Sequence, residues 1–482
     1  MFLGIDLGTS GLRALLVNAE GVPVGSTERH YGVSNLHLGW SEQDPADWIA
    51  ALDGAVEEMR ARYPAFSDIS GIGVAGQMHG ATLLDKEGCV LRPCILWNDS
   101  RSHQQAERLD STDQVRALSG NIVFPGFTAP KLEWVRENEP EIYKKTAMVL
   151  LPAAYLNFYL SGQYVADMSD SAGTSWLDVG QRDWSDTLLE AGHMSRAQMP
   201  RLVEGTEAGG QLRAELVSKW GLDSHVIIAG GAGDNAAAAC GIGALDEGQG
   251  FVSLGTSGVL LSARDGYRPA PDTAVHTFCH AIPGRWYQMG VMLSATDSLN
   301  WFAGITRESP ADLTMALGDT LLQPGHVRYL PYLSGERTPH NDVDVRGSFT
   351  GLSSASSRDD LTRAVLEGVA FGLRDSFEAL KSTDAKLEEL IAIGGGTGSH
   401  YWLRLIATVL GVPVHLPSDG EFGAALGAAR LAMVAVTGVN PDSVMTSPTI
   451  GETIEPEKSM LGTFDEAYHR FCSAYPLIKA AQ

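Results

Sequence analysis

One pentapeptide occurs twice in this sequence and carries its first chemical signal. Leu7-Gly8-Thr9-Ser10-Gly11 returns as Leu254-Gly255-Thr256-Ser257-Gly258, each time between apolar runs of β type. Glycines in such a turn let backbone N–H groups and hydroxyls face a ligand, an arrangement that can cradle phosphate. Asp6 stands just before the first copy, where a carboxylate beside phosphates makes sense as a holder of Mg²⁺, directly or through water. The plain alternative is a hairpin whose glycines only turn the chain. Gly394-Gly395-Gly396-Thr397-Gly398 forms a third glycine-rich turn, between a predicted strand ending at Ile393 and a predicted helix starting near His400. It suits either a nucleotide lying on backbone or a tight strand-to-helix connection.

Three further groups sit at predicted strand ends. Asp234 and Asn235 follow Gly230-Gly231-Ala232-Gly233 and the apolar run from Val226 to Ala229. A carboxylate there lies where α/β proteins place ligand sites, and it is also a good helix N-cap. Met78 and His79 occupy a Gly-Gln-Met-His-Gly turn, and Trp97-Asn98-Asp99 follow Ile95-Leu96. Polar groups and an indole clustered in this way suit a sugar pocket, as well as ordinary loops. His276, Phe278 and His280 alternate around Cys279 and read as strand surface rather than a metal site.

Two nucleotide signatures are missing or misplaced. No lysine directly follows a glycine, which removes the P-loop class. Gly71-Ile72-Gly73-Val74-Ala75-Gly76 matches G-x-G-x-x-G, but inside a strand-like run, whereas a dinucleotide fingerprint needs its glycines after the strand. It reads as a strand packed closely against its neighbours.

The elements that must position these groups alternate. Strand-like runs at residues 69–75, 149–151 and 226–229 are interleaved with helical patterns at 48–62 and 131–138. The second half repeats this with helices at 361–380 and 401–410 around a strand at 389–393. Such alternation predicts α/β domains. The chain has 482 residues, room for two or three domains, and the polar stretch Ala244 to Gly250 makes a suitable connection. We therefore expect domains at 1–245 and 246–482, with a return of the last helix to the first domain left open. Phe464, Tyr468, Cys472 and Tyr475 predict one apolar face on a final helix.

A net charge of −23 repels a phosphate backbone or an anionic lipid surface, so nucleic acid and membrane partners are not expected. An anionic ligand such as ATP then needs local N–H groups and a bound cation. Five scattered cysteines without a C-x-x-C pair suit a reducing cytoplasm, and the amino terminus does not read as a signal peptide.

Taken together, these residues resemble the FGGY carbohydrate kinases, which share a fold group with Hsp70 and actin. The resemblance runs along essentially the whole chain. One family signature resembles Gly126-Phe127-Thr128-Ala129-Pro130-Lys131-Leu132-Glu133-Trp134, and a second resembles Gly347 to Leu352 continuing into Asp360-Leu361 and Ala364 to Gly368. Gly76 to Gly80, Ile95 to Asp99, Ser169 to Thr174 and Leu333 to His340 are similar to the members that phosphorylate D-xylulose. Glycerol-specific members carry an Arg-Glu pair in place of Met78-His79 and a tyrosine in place of Gly126.

The resemblance implies two actin-like, hexokinase-like domains of the ribonuclease H type, with the active site in the cleft between them. It implies MgATP-dependent phosphorylation of D-xylulose at its terminal hydroxyl. In that reading Asp6 organises Mg²⁺, while Gly8, Thr9, Ser10, Gly255 and Thr256 hold phosphates. Gly394, Gly395 and Gly396 border the adenosine. Met78, His79, Trp97 and Asn235 face the sugar, and Asp234 is the general base. A kinase of another ketose or polyol remains open, as does a homodimeric assembly. From other classes, an ATP-driven conformational protein would share the fold, and a dinucleotide-dependent oxidoreductase would rest on Gly71 to Gly76 alone.

Overall fold

Both pentapeptides are hairpin turns. In the computed structural model, which describes residues 1–222, 225–418 and 423–481, Phe2–Leu7 pairs antiparallel with Gly11–Val17, and Gly250–Leu254 with Gly258–Arg264. Each hairpin begins one seven-stranded sheet. In the first, Phe2–Leu7 pairs parallel with Gly71–Gly76, which in turn pairs parallel with Ile227–Ala229 and Ala232–Gly233. In the second, Gly250–Leu254 pairs parallel with Leu390–Ile393, which pairs parallel with Val414–Pro417. Ala208–Gln211 closes the parallel side of the first sheet as an antiparallel edge, and Ile450–Ile454 does the same in the second. The five-residue repeat is thus the visible part of a repeated sheet plan.

The helices follow their sequence cues. Pro45–Arg62 starts behind Asp44, whose carboxylate accepts from Ala46 N at 2.9 Å, and it buries Trp48, Leu52, Val56 and Met59. Arg358–Lys381 starts with a reciprocal capping box between Ser357 and Asp360.

Gly423–Thr437 makes the least local connection in the fold. This alanine-rich helix lies flat against the first sheet although it comes late in the second half. A Cβ on Gly73 would stand 1.9 Å from the carbonyl oxygen of Ala428, and one on Gly4 would stand 1.9 Å from that of Ala425. The glycines at 71–76 therefore serve close helix-on-strand packing, as expected. On its other side the helix meets Asp234–Ile242, where a Cβ on Gly427 would stand 1.8 Å from the carbonyl of Ala237. Arg430 also reaches across, and its Nη1 donates to the carbonyls of Cys240 and Gly241 at 3.1 and 2.8 Å, closing the carboxyl end of that helix.

The C-terminal helix, Leu461–Ala481, stays on the second half, packed on Arg358–Lys381 and His400–Leu410. Phe464, Tyr468 and Phe471 are buried there. Phe471 replaces the expected Cys472, which is exposed and sits at the edge of the face with its Sγ 3.7 Å from Asp375 Oδ1. Among the described residues, no helix is long and apolar enough to cross a membrane.

Candidate active site

Sheet register brings together residues far apart in sequence. Asp6 lies opposite Ala75, and Ala75 lies opposite Ala232 on the next parallel strand. The three strands end side by side, delivering the turn at Gly8, then Gln77-Met78-His79, then Asp234, to one end of the sheet. Gly233 is the N-cap of Asp234–Ile242, and Asp234 is its first residue. The Asp234 side chain therefore does not cap that helix. Its Oδ1 accepts from Asn235 N at 2.7 Å and Asn235 Nδ2 at 2.9 Å, leaving Oδ2 for another partner. Burial, and next the nearby charge of Asp6, push its carboxyl up to about 7, which the two bonds from Asn235 partly oppose.

The first glycine turn is braced from several sides. Gly8 N donates to Gly11 O at 2.9 Å, and Tyr31 Oη donates to Gly8 O at 2.6 Å. Gln43 Nε2 donates to Thr9 O at 2.6 Å; its Oε1 accepts from Trp48 Nε1 and Gln77 Nε2, each at 3.0 Å. Trp97 Nε1 donates to Thr9 Oγ1 at 3.0 Å, so this indole supports the turn as well as bordering the sugar-side loops. Ser10 at the tip is exposed. In the second turn, Gly255 O accepts from Thr296 Oγ1 at 2.8 Å and Thr256 O from Ala295 N at 2.8 Å, while the Thr256 side chain is exposed.

The third turn runs beside the second. Gly394 has φ +93°, and a Cβ there would stand 2.9 Å from the Leu254 carbonyl. Gly396 packs equally tightly on Leu254, whereas Gly395 and Gly398 face open space. Bare backbone facing outward is what a flat ligand needs.

The Met78-His79 turn is held rigidly. His79 takes φ +68°, and its Nδ1 lies 2.7 Å from the carbonyl oxygen of Gly173. A carbonyl only accepts, so Nδ1 carries the proton, and in the neutral ring Nε2 is an acceptor. Burial, opposed by the Gly173 bond, lowers this imidazole to about 3, so it is neutral at physiological pH. The ring stacks on Phe127 at 4.5 Å. Lys131 Nζ, itself buried, donates to His79 O at 2.8 Å and Gly126 O at 2.7 Å, which gives the Gly126–Trp134 signature a structural meaning. Met78 packs against Gly233, where a Cβ would stand 2.9 Å from its Cγ. Asp99 is engaged elsewhere, accepting from Arg101 Nε at 2.9 Å and Ser41 N at 2.6 Å.

Other groups near the site escaped the sequence reading. Asp170 is buried, with no hydrogen-bond partner for either carboxyl oxygen among the described residues, and burial with Asp167 and Asp234 nearby pushes it well above the usual range. Arg337 reaches in from the second half, its Cζ 5.1 Å from the Phe124 ring centroid. His276 corrects an expectation: it does lie on a strand, His276–Cys279, but fully buried rather than on the surface. It packs between Phe278 and the first-half rings Phe124 and Phe127. Strand alternation cannot distinguish a solvent face from one covered by another domain.

Two sheets of one plan, each opened by a glycine-turn hairpin, define a two-domain α/β architecture. The N-terminal domain of the FGGY family of carbohydrate kinases matches residues 1–241, and its C-terminal domain matches residues 250–436. This chain belongs to that family. It is 46% identical over 446 residues to a xylulose kinase of Escherichia coli K12, covering 92% of this chain and 91% of the relative. A crystal structure described as a xyloylose kinase from Brucella ovis superposes with a TM-score of 0.97 at 56% identity, covering all of both chains. A Plasmodium falciparum glycerol kinase with ADP shares the fold, with a TM-score of 0.86 at 21% identity over 97% of each chain.

Proposed function

We propose that this chain transfers the γ-phosphoryl group of ATP to the terminal hydroxyl of D-xylulose, giving D-xylulose 5-phosphate. The observation that carries the reading is Asp234: a carboxyl at a strand end, beside the rigid Met78-His79 turn and on the same end of the sheet as the braced phosphate-type turn at Gly8. The relatives' names supply the ketopentose. Residues 1–245 would form the sugar-binding domain with the general base, and residues 246–482 the nucleotide-binding domain. The scattered free cysteines, three buried and two exposed, support a reducing, cytoplasmic setting.

A sugar hydroxyl is a weak nucleophile. Asp234 takes its proton as the oxygen approaches phosphorus in line with the leaving group, a contribution of roughly 10²- to 10⁴-fold. Asn235 steadies that carboxylate. Met78 and His79 orient the sugar, His79 Nε2 accepting from a hydroxyl, and Trp97 borders them. The turns at Gly8, Thr9 and Ser10 and at Gly255 and Thr256 hold the phosphates, and Gly394, Gly395 and Gly396 offer backbone to the adenosine.

Asp6 fits Mg²⁺, because it adds a second negative charge close to Asp234, a pattern that a hard cation relieves. When bound, Mg²⁺ neutralises charge on the phosphates. The deciding experiment is sugar-dependent ADP release with MgATP across D-xylulose, D-ribulose, glycerol and D-gluconate. We expect the highest kcat/KM for D-xylulose, and a clear preference for any other member of the panel would overturn the substrate.

A further inference from the structure

Arg337 is a cationic side chain that the second half brings, with His276 and Phe278, against the first-half rings Phe124 and Phe127. The backbone around it is fixed. Glu336 Oε1 accepts from Leu293 N at 2.9 Å and from Arg337 N at 2.7 Å, and Thr338 exchanges two hydrogen bonds of 3.0 Å with Val291 on the second sheet. From this anchor the side chain crosses to the first half, where its Cζ lies over Phe124 and its Nη2 stands 3.6 Å from the point a Cβ on Gly126 would occupy.

The same point is 2.1 Å from the carbonyl of Trp97, so the guanidinium approaches the Trp97 and Gly126 backbones where the sugar-side loops meet. No hydrogen bond or ion pair to the guanidinium is found among the described residues. A guanidinium offers five N–H donors in a fixed fork, and a partly enclosed one without acceptors is a site for ligand oxygens.

Contacts along the pocket give the direction. Asp234 adjoins Gly233, which packs on Met78; Met78 and His79 both press on Gly173; His79 stacks on Phe127; Phe127 meets Phe124; and Arg337 covers Phe124. Arg337 thus stands at the other end of this line of contacts from Asp234. A ketose with its terminal hydroxyl at Asp234 has its carbonyl end there.

We propose that Arg337 is a specificity-determining residue that donates hydrogen bonds to the carbonyl and hydroxyl oxygens at the ketose end remote from the reacting hydroxyl. This rests on the reading of D-xylulose as the substrate. It also makes sugar recognition depend on both halves of the chain, since the donor comes from one and the stacking faces from the other.

The test compares wild type with Arg337→Met, which keeps the stem and removes the donors, and Arg337→Lys, which keeps the charge and removes the fork. D-Arabinitol serves as the substrate lacking a carbonyl. We expect Arg337→Met to raise the KM for D-xylulose at least tenfold, to leave the KM for ATP within about twofold, and to shrink the preference for D-xylulose over D-arabinitol. Arg337→Lys should fall between. If Arg337→Met does not fold, Arg337→Lys decides, with at least a threefold rise in the D-xylulose KM expected. A D-xylulose KM within twofold of wild type in the folded variants overturns the proposal. Failure of the wild type to turn over D-xylulose instead overturns the substrate reading, and the same comparison then uses the sugar with the best kcat/KM.

Discussion

Asp6, on the strand Phe2–Leu7, and Asp234, just after the strand Ala232–Gly233, are separated by a single strand, Gly71–Gly76, and their carboxylates are near enough for the charge of one to raise the proton affinity of the other. In the function proposed above the two take different tasks, one holding a cation and the other accepting a proton. Asp234→Asn keeps shape and removes proton acceptance. Its turnover should fall by about two orders of magnitude or more, with D-xylulose and MgATP still binding in calorimetry. A near-normal kcat in this variant would remove Asp234 from the chemistry.

The raised Asp234 carboxyl sets a pH dependence. The base works only when deprotonated, so kcat/KM for D-xylulose should rise with pH and reach half its plateau near pH 7. Stability should run the other way. A native carboxyl held at about 7 keeps a proton that the unfolded chain releases near pH 4, so its contribution is progressively lost as pH rises from about 4 to about 7. Asp234→Asn should accordingly raise the melting temperature more at pH 8 than at pH 5, by on the order of 1 to 3 kcal/mol in stability at the higher pH. Equal shifts at both pH values would contradict the raised carboxyl.

His79 sits at positive φ with its Nδ1–H tied to Gly173. Asparagine tolerates that backbone conformation, so His79→Asn tests the ring without forcing the turn. The KM for D-xylulose should rise tenfold or more and that for ATP less than threefold. The reverse order would move this turn to the nucleotide side.

Gly427 and Gly395 form a contrasting pair. A methyl at 427 would meet the Ala237 carbonyl at 1.8 Å, whereas at 395 it would meet nothing within 4 Å. Gly427→Ala should cost about 1 to 3 kcal/mol or more and lower kcat, since Ala237 belongs to the helix that begins with Asp234. Gly395→Ala should leave thermal stability within about 0.5 kcal/mol and raise the KM for ATP. Matching melting curves for wild type and Gly427→Ala would refute the packing argument.

Local structure was readable because its causes are local. Apolar runs located Gly71–Gly76 and Leu390–Ile393, the repeat located both hairpins, and glycine turns after strands located Asp234 and Gly394. Long-range pairing leaves no such trace. Nothing in the residues from Gly423 to Thr437 states that they cover Gly4 and Gly73; small side chains permit close packing without naming the partner. His276 shows the same limit, since a buried strand face and an exposed one share a period of two. Arg337 was visible only as part of a motif, because its position depends on where the second half meets Phe124 and Gly126.

The helix Gly423–Thr437 also dictates an order of events during synthesis. The first sheet, including Asp6 and the strand leading to Asp234, leaves the ribosome with one face waiting for a cover made some 180 residues later. At roughly 5 to 20 residues per second, that face stays bare for about 10 to 40 s. A chain stopped near residue 245 would keep it bare permanently, with Gly4 and Gly73 offering an open groove to other molecules. The first sheet therefore completes its packing only after the carboxyl-terminal half of the chain has arrived to close that face.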